Sequence, residues 1–114
     1  KQMVSLQQFE KNLQKLINKA KRFTDVIIFL GCKKVDEPKT TPIPWKTDYY
    51  YKNQNLTLYN QKIKKVANKN KVYYLEIFDL LKNEDLEDGL HPNSNGHKKL
   101  FLKIKDFLFD KKLL

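Results

Sequence analysis

Two short runs, DVIIFLG at 25–31 and VYYLEIF at 72–78, constrain this chain more than any other feature. Each is nearly continuous in apolar residues, rich in β-branched and aromatic side chains, and too short for a buried helix. Such runs suit strands covered on both faces, as in a parallel sheet. Each also follows a longer segment of helical period. Residues 5–22 place Leu6, Phe9, Leu13, Leu16, Ile17 and Ala20 at intervals that give a helix one buried face. Ser5 is positioned to cap that helix, with Gln8 at the capping-box position. Residues 48–70 place Tyr51, Leu56, Tyr59, Ile63, Val66 and Ala67 on one side of a second helix, and residues 95–109 read as a third. A helix leading directly into a strand is half of a βαβ unit. The expected order is helix, strand, long loop, helix, strand, motif loop, helix, with a short helical turn within 79–87. No repeat or linker divides the 114 residues, so one α/β domain is expected.

The bulk properties narrow the function classes. A hydrophobic fraction of 40% belongs to a folded protein and not to a disordered tail. No apolar run approaches the 18 residues of a membrane span. The start, KQMVSLQQFEKNLQKL, is polar and periodic, unlike a secretory signal, which favours the cytoplasm over export and makes the Asn55-Leu-Thr57 sequon a chance match. The formal charge of +10 invites a nucleic-acid reading, but Arg22 is the sole arginine, and arginine is the usual residue for base edges and bidentate phosphate contacts. The lysines are spread along polar helix faces, and KIKK at 62–65 reads as a solvated face. No nucleic-acid partner is expected. Cys32 follows a strand-like run and reads as a buried thiol, not a nucleophile.

Both histidines fall in one stretch, DGLHPNSNGH at 88–97. Asp88 and His91 share a short loop in which Gly89 permits left-handed backbone and Pro92 holds His91 extended. Asn93 or Ser94 can cap the final helix. A loop pinned on both sides lets two side chains three residues apart meet. An aspartate accepting the Nδ1 proton would fix the tautomer of His91 and support positive charge on the ring, making the other nitrogen a general base. Spacing alone favours a surface loop in which Asp88 and His91 only cap and hydrogen-bond locally. No cysteine or third histidine lies near, so neither zinc nor another metal is expected, and no cofactor.

The stretch DGLHPNSNGH resembles the C-terminal block of the GDSL/SGNH hydrolases, esterases and lipases with a three-layer α/β/α, flavodoxin-like fold. VIIFLGCKKVDEP, IPW, LYNQKIKKVA and VYYLEIFDLL also resemble the family, so the likeness spans essentially the whole chain. It implies that His91 is the general base and Asp88 its orienting carboxylate. In the family the base activates a serine of a G-D-S block, which attacks an ester carbonyl. Oxyanion-hole donors of this kind are each worth about 10²–10³ in rate.

The chain departs from that pattern. It holds no G-D-S block, and the asparagine of the family's G-x-N-D block is absent; Ser5 and Ser94 both stand at helix starts. The chain also begins without a methionine and inside a helical pattern. Residues 1–114 are therefore expected to be the C-terminal part of one SGNH hydrolase domain whose N-terminal blocks carry the serine. The alternative is a non-catalytic fragment or interaction module that keeps the fold without the nucleophile. Ile43 and Trp45, on the proline-rich loop 32–47, are candidates to wall a pocket for a small-molecule ester, or simply to pack on the sheet. Among Tyr49, Tyr50 and Tyr51, one or two should be core, and His97 reads as a packing or capping residue rather than a second base. The missing half, or a second copy, is expected to complete the sheet.

Overall fold

A computed structural model describes residues 4–42 and 51–114. Helix α1, Leu6–Ala20, starts at Ser5, whose side chain accepts from the Gln8 amide at 3.1 Å, as the sequence indicates. Leu13 and Ile17 are the buried residues of its inner face, with Phe9 partly buried beside them. Leu16 departs from expectation and is 54% exposed, because it lies about 100° around the helix from Ile17. Helix α3, Asn53–Asn70, buries Ile63 and Val66 against α1. An edge-to-face pair, Phe9 and Tyr59 with centroids 4.8 Å apart, extends the seam. Glu10 reaches Lys65 at 2.9 Å and Lys62 at 3.4 Å, while Gln14 and Asn70 exchange amide hydrogen bonds at 2.9 and 2.8 Å. Two of the three lysines of KIKK therefore tie helices together instead of lying free in solvent, and Ile63 between them is core.

Strands β1, Ile28–Leu30, and β2, Tyr73–Leu75, pair in parallel with Phe29 opposite Tyr74. Phe29 and Tyr74 face the α1–α3 layer, whereas Tyr73 packs edge-to-face on Phe107 of helix α4, Ser94–Asp110, at 5.7 Å. Helices thus lie on both faces of the sheet, as the apolar runs imply. The strands are shorter than those runs. Thr24 Oγ1 accepts the Val26 amide at 3.0 Å and turns the chain before β1, and Glu76 Oε1 accepts the Phe78 amide at 3.0 Å after β2. Local side-chain bonds of this kind compete with the ladder. With two strands in the sheet, coverage of β1 is incomplete: Leu30 is 40% exposed and Val26 48%.

Among its described residues the long loop holds one helical turn, α2, Glu37–Thr40. Glu37 reaches forward to accept the Asn53 amide at 2.7 Å, which fixes where α3 begins. That helix was expected from residue 48, but Tyr51 and Lys52 precede it. The 3₁₀ turn Asn83–Asp85 fulfils the helical turn read within 79–87. It meets the first turn of α4 at Gly96, where a Cβ would fall 2.6 Å from the Asp85 carbonyl oxygen and 2.9 Å from Pro92 Cβ. Gly96→Ala is therefore expected to destabilise the protein by about 1–3 kcal/mol through overpacking, despite alanine's better helix propensity. Chemical denaturation measures this; an unchanged or raised midpoint would contradict the close approach.

Candidate functional site

The site is built at the C-terminal ends of the two strands. Parallel pairing continues past them: the Gly31 amide donates to the Leu75 carbonyl at 3.0 Å and the Lys34 amide to the Phe78 carbonyl at 3.1 Å. Loops leaving both strands are thereby held side by side. Two asparagines of α3 clamp the loop leaving β1. Asn60 accepts the Cys32 amide at 2.5 Å and donates to the Cys32 carbonyl at 2.9 Å; Asn53 does the same to Val35 at 2.7 and 3.0 Å. Between the clamps, the half-buried Lys33 donates its ammonium to the carbonyl of Leu90.

The loop from Leu86 to Pro92 is pinched at its base by a bridge between those two residues, and the Glu87 amide donates to the His91 carbonyl at 2.7 Å. Gly89 has φ +86°, and a Cβ there would meet Lys39 Cβ at 2.6 Å, so both conformation and packing demand glycine. The Gly89 carbonyl accepts the Asp36 amide at 2.9 Å. Asn93 caps α4 by accepting the Gly96 amide at 3.0 Å, and its Nδ2 donates to the Glu84 carbonyl at 2.8 Å. Buried Asp85 takes the Lys82 amide at 2.9 Å and the Lys99 ammonium at 2.5 Å, tying the 3₁₀ turn to α4.

Inside this frame Asp88 and His91 meet. Asp88 Oδ2 lies 2.6 Å from His91 Nδ1, while Oδ1 accepts the backbone amides of His91 at 2.7 Å and Leu90 at 3.0 Å. The His91 amide leads, with the His91 ring and the Leu90 amide, in holding the Asp88 carboxyl low, at about 2. An ionised carboxylate on Nδ1 holds that nitrogen's proton and so selects the tautomer of the ring. The His91 side chain is 61% exposed.

Other expected residues divide. Ile43, Trp45, Tyr49 and Tyr50 lie outside the described residues. His97 is exposed on the first turn of α4. Cys32 is half-buried, and burial pushes its thiol up, away from nucleophilic character. Ser5 caps α1 and Ser94 is exposed at the start of α4. No cluster of metal-ligating side chains occurs among the described residues. Lys33, Asn53, Asn60 and Asp85 were not singled out from the sequence. Asn60 alone left a signal, a polar residue within the apolar stripe of α3.

The GDSL-like lipase/acylhydrolase family model matches residues 1–99. The chain belongs to that family. Solved structures agree in fold. A GDSL-like lipase from Bacteroides thetaiotaomicron superposes with a TM-score of 0.77 at 19% identity, covering 98% of this chain and 55% of that one. An α/β hydrolase from the metagenome of Lake Arreo, Spain, gives 0.66 at 17%, covering 92% and 46%. An acetylxylan esterase from Geobacillus stearothermophilus gives 0.65 at 19%, also covering 92% and 46%. The chain spans about half the length of these structures. A comparison with curated proteins gives no match.

The low Asp88 value carries a pH signature. A carboxylate held below its ordinary 3.8 contributes stability that is present above that value and lost as pH falls toward the folded one. The loop is therefore expected to be fully formed above about pH 4 and to open toward pH 2. NMR of the Leu90 and His91 amide protons against pH should give a midpoint near 2; a midpoint near 3.8 would mean that the carboxylate is not held.

Proposed function

We propose that the complete protein is a serine ester hydrolase of the GDSL type, to which this chain contributes His91 as general base and Asp88 as the carboxylate that orients it. The observation that carries this reading is the 2.6 Å contact between Asp88 Oδ2 and His91 Nδ1, in a loop whose every turn is braced. Membership of a lipase and acylhydrolase family supports the reaction class. The nucleophile is a serine outside these residues, brought to Nε2 of His91. His91 takes its proton as it attacks the acyl carbonyl and returns that proton to the departing alcohol. Water, deprotonated by the same nitrogen, then attacks the acyl carbon, and the proton passes from Nε2 to the departing serine oxygen as the acid is released. Asp88 stays ionised throughout and supports the imidazolium that forms twice per turnover. The substrate is a small-molecule acyl ester.

The serine-bearing part of the protein, or a second copy of this chain, would sit against an open edge of the sheet. Val26, Leu30, Phe101 and Leu102 are exposed at 48, 40, 62 and 43%, and surfaces of this kind seek cover. A polypeptide of these 114 residues alone is expected to self-associate in sedimentation; a monodisperse monomer would argue against this arrangement.

The test of the chemistry is turnover of a short-chain p-nitrophenyl ester by the full-length protein. His91→Ala should lower kcat by at least about 10³-fold. Asp88→Asn, which keeps an acceptor for the two amides but turns a donor toward Nδ1, should lower it by about 10²–10⁴-fold. Undiminished turnover in His91→Ala would remove His91 from the reaction and favour the non-catalytic reading.

A further inference from the structure

We propose that Lys33 is a positioning residue for the Asp88–His91 pair, locking their loop through its ammonium on the Leu90 carbonyl. This rests on the reading of His91 as a base. Three observations lead to it. First, Lys33 is half-buried at the end of β1, although a lysine ammonium is usually left in water. Burial lowers its proton affinity, and the charge of Asp88 acts in the opposite direction, so the ammonium feels the site electrostatically as well as through its hydrogen bond.

Second, the bond falls on the residue where it has most leverage. Leu90 sits between Gly89 and His91, and its own amide is one of the two donors on Asp88 Oδ1. Fixing the Leu90 carbonyl fixes the peptide plane that follows, whose N–H belongs to His91 and is the other donor. One ammonium thus governs the orientation of the amide that holds Asp88 closest. The Asp36 amide on the Gly89 carbonyl braces the preceding peptide in the same way.

Third, Lys33 is itself placed with precision. The backbone on either side of it is held at both N–H and C=O by the Asn60 and Asn53 amides. A flexible four-carbon side chain can act as a fixed strut only if its root is fixed, and here the root is clamped to α3. The line of support runs from α3 through the loop after β1 to the loop that carries the base.

The test compares Lys33→Met with Lys33→Arg in the full-length protein. In Lys33→Met, hydrogen exchange of the Leu90 and His91 amides should rise about tenfold, the effect of losing a charge-assisted bond. Amides of Ile17 and Ile63, in the α1–α3 core, should keep their protection. The kcat for the ester should fall with KM unchanged, and Lys33→Arg, which can donate to the same carbonyl, should restore both readouts in large part. Unchanged exchange at Leu90 and His91 in Lys33→Met would overturn the proposal. Faster exchange in a protein without esterase activity would leave the positioning role standing and sink the reaction assigned to the site. Should Lys33→Met not fold, Lys33→Gln against Lys33→Arg applies the same criterion.

Discussion

A parallel strand must hand its backbone to something when the ladder ends, because buried N–H and C=O groups tolerate no vacancy. In this chain the partners come from the side. β1 pairs over three residues, and two asparagines two turns apart on α3 take over the amide and carbonyl of Cys32 and of Val35. A primary amide is the one side chain that can donate and accept at once in the geometry of a peptide. Replacement of either by leucine would fill the stripe of α3 better and leave two backbone groups unpaired, each at about 1–3 kcal/mol. The loop after β1 is consequently rigid where it passes the second strand's loop, and the arrangement of the site follows from that rigidity.

How much of this was legible in the sequence depends on range. The 3.6-residue stripes of α1 and α3, the Ser5 cap and the Asn93 cap are local, and apart from Leu16 and Tyr51 they stand where the pattern puts them. The Asp88–His91 contact was readable for the same reason: the two residues lie three apart, with a glycine and a proline shaping the loop between and beyond them. What the sequence hid was the side-chain hydrogen bonds made across elements. Glu37, in a stretch without periodicity, defines the start of α3 from sixteen positions away. The Val26 and Phe78 ends of the apolar runs looked like strand and were claimed by Thr24 and Glu76, a competition that hydrophobic periodicity does not register.

The lysines illustrate a second limit. Composition makes them one population, a net charge of +10 spread over polar faces. Structure divides them by what they touch. Lys62 and Lys65 share Glu10 between α1 and α3, Lys99 neutralises buried Asp85, and Lys33 spends its charge on a carbonyl. The exposed pairs are worth little individually, whereas removing Lys99 would strand a carboxylate that is only 3% exposed. Charge counts describe how such a chain meets its surroundings; burial decides which charges hold the fold.

A division of labour follows. Orienting a histidine needs a carboxylate and a stiff loop, and these fit within a few residues of one chain segment. Delivering a nucleophile to that histidine needs a second element placed to within a fraction of an ångström, which no local sequence can supply. His91 is 61% exposed here, and in the proposed role of base that much water would compete for its proton and screen its carboxylate. In a complete site the surface that brings the serine would also exclude the water, so the same contact that assembles the triad would strengthen the Asp88–His91 pair. Activity would then switch on with assembly, while the pair itself stays formed on either side of that step.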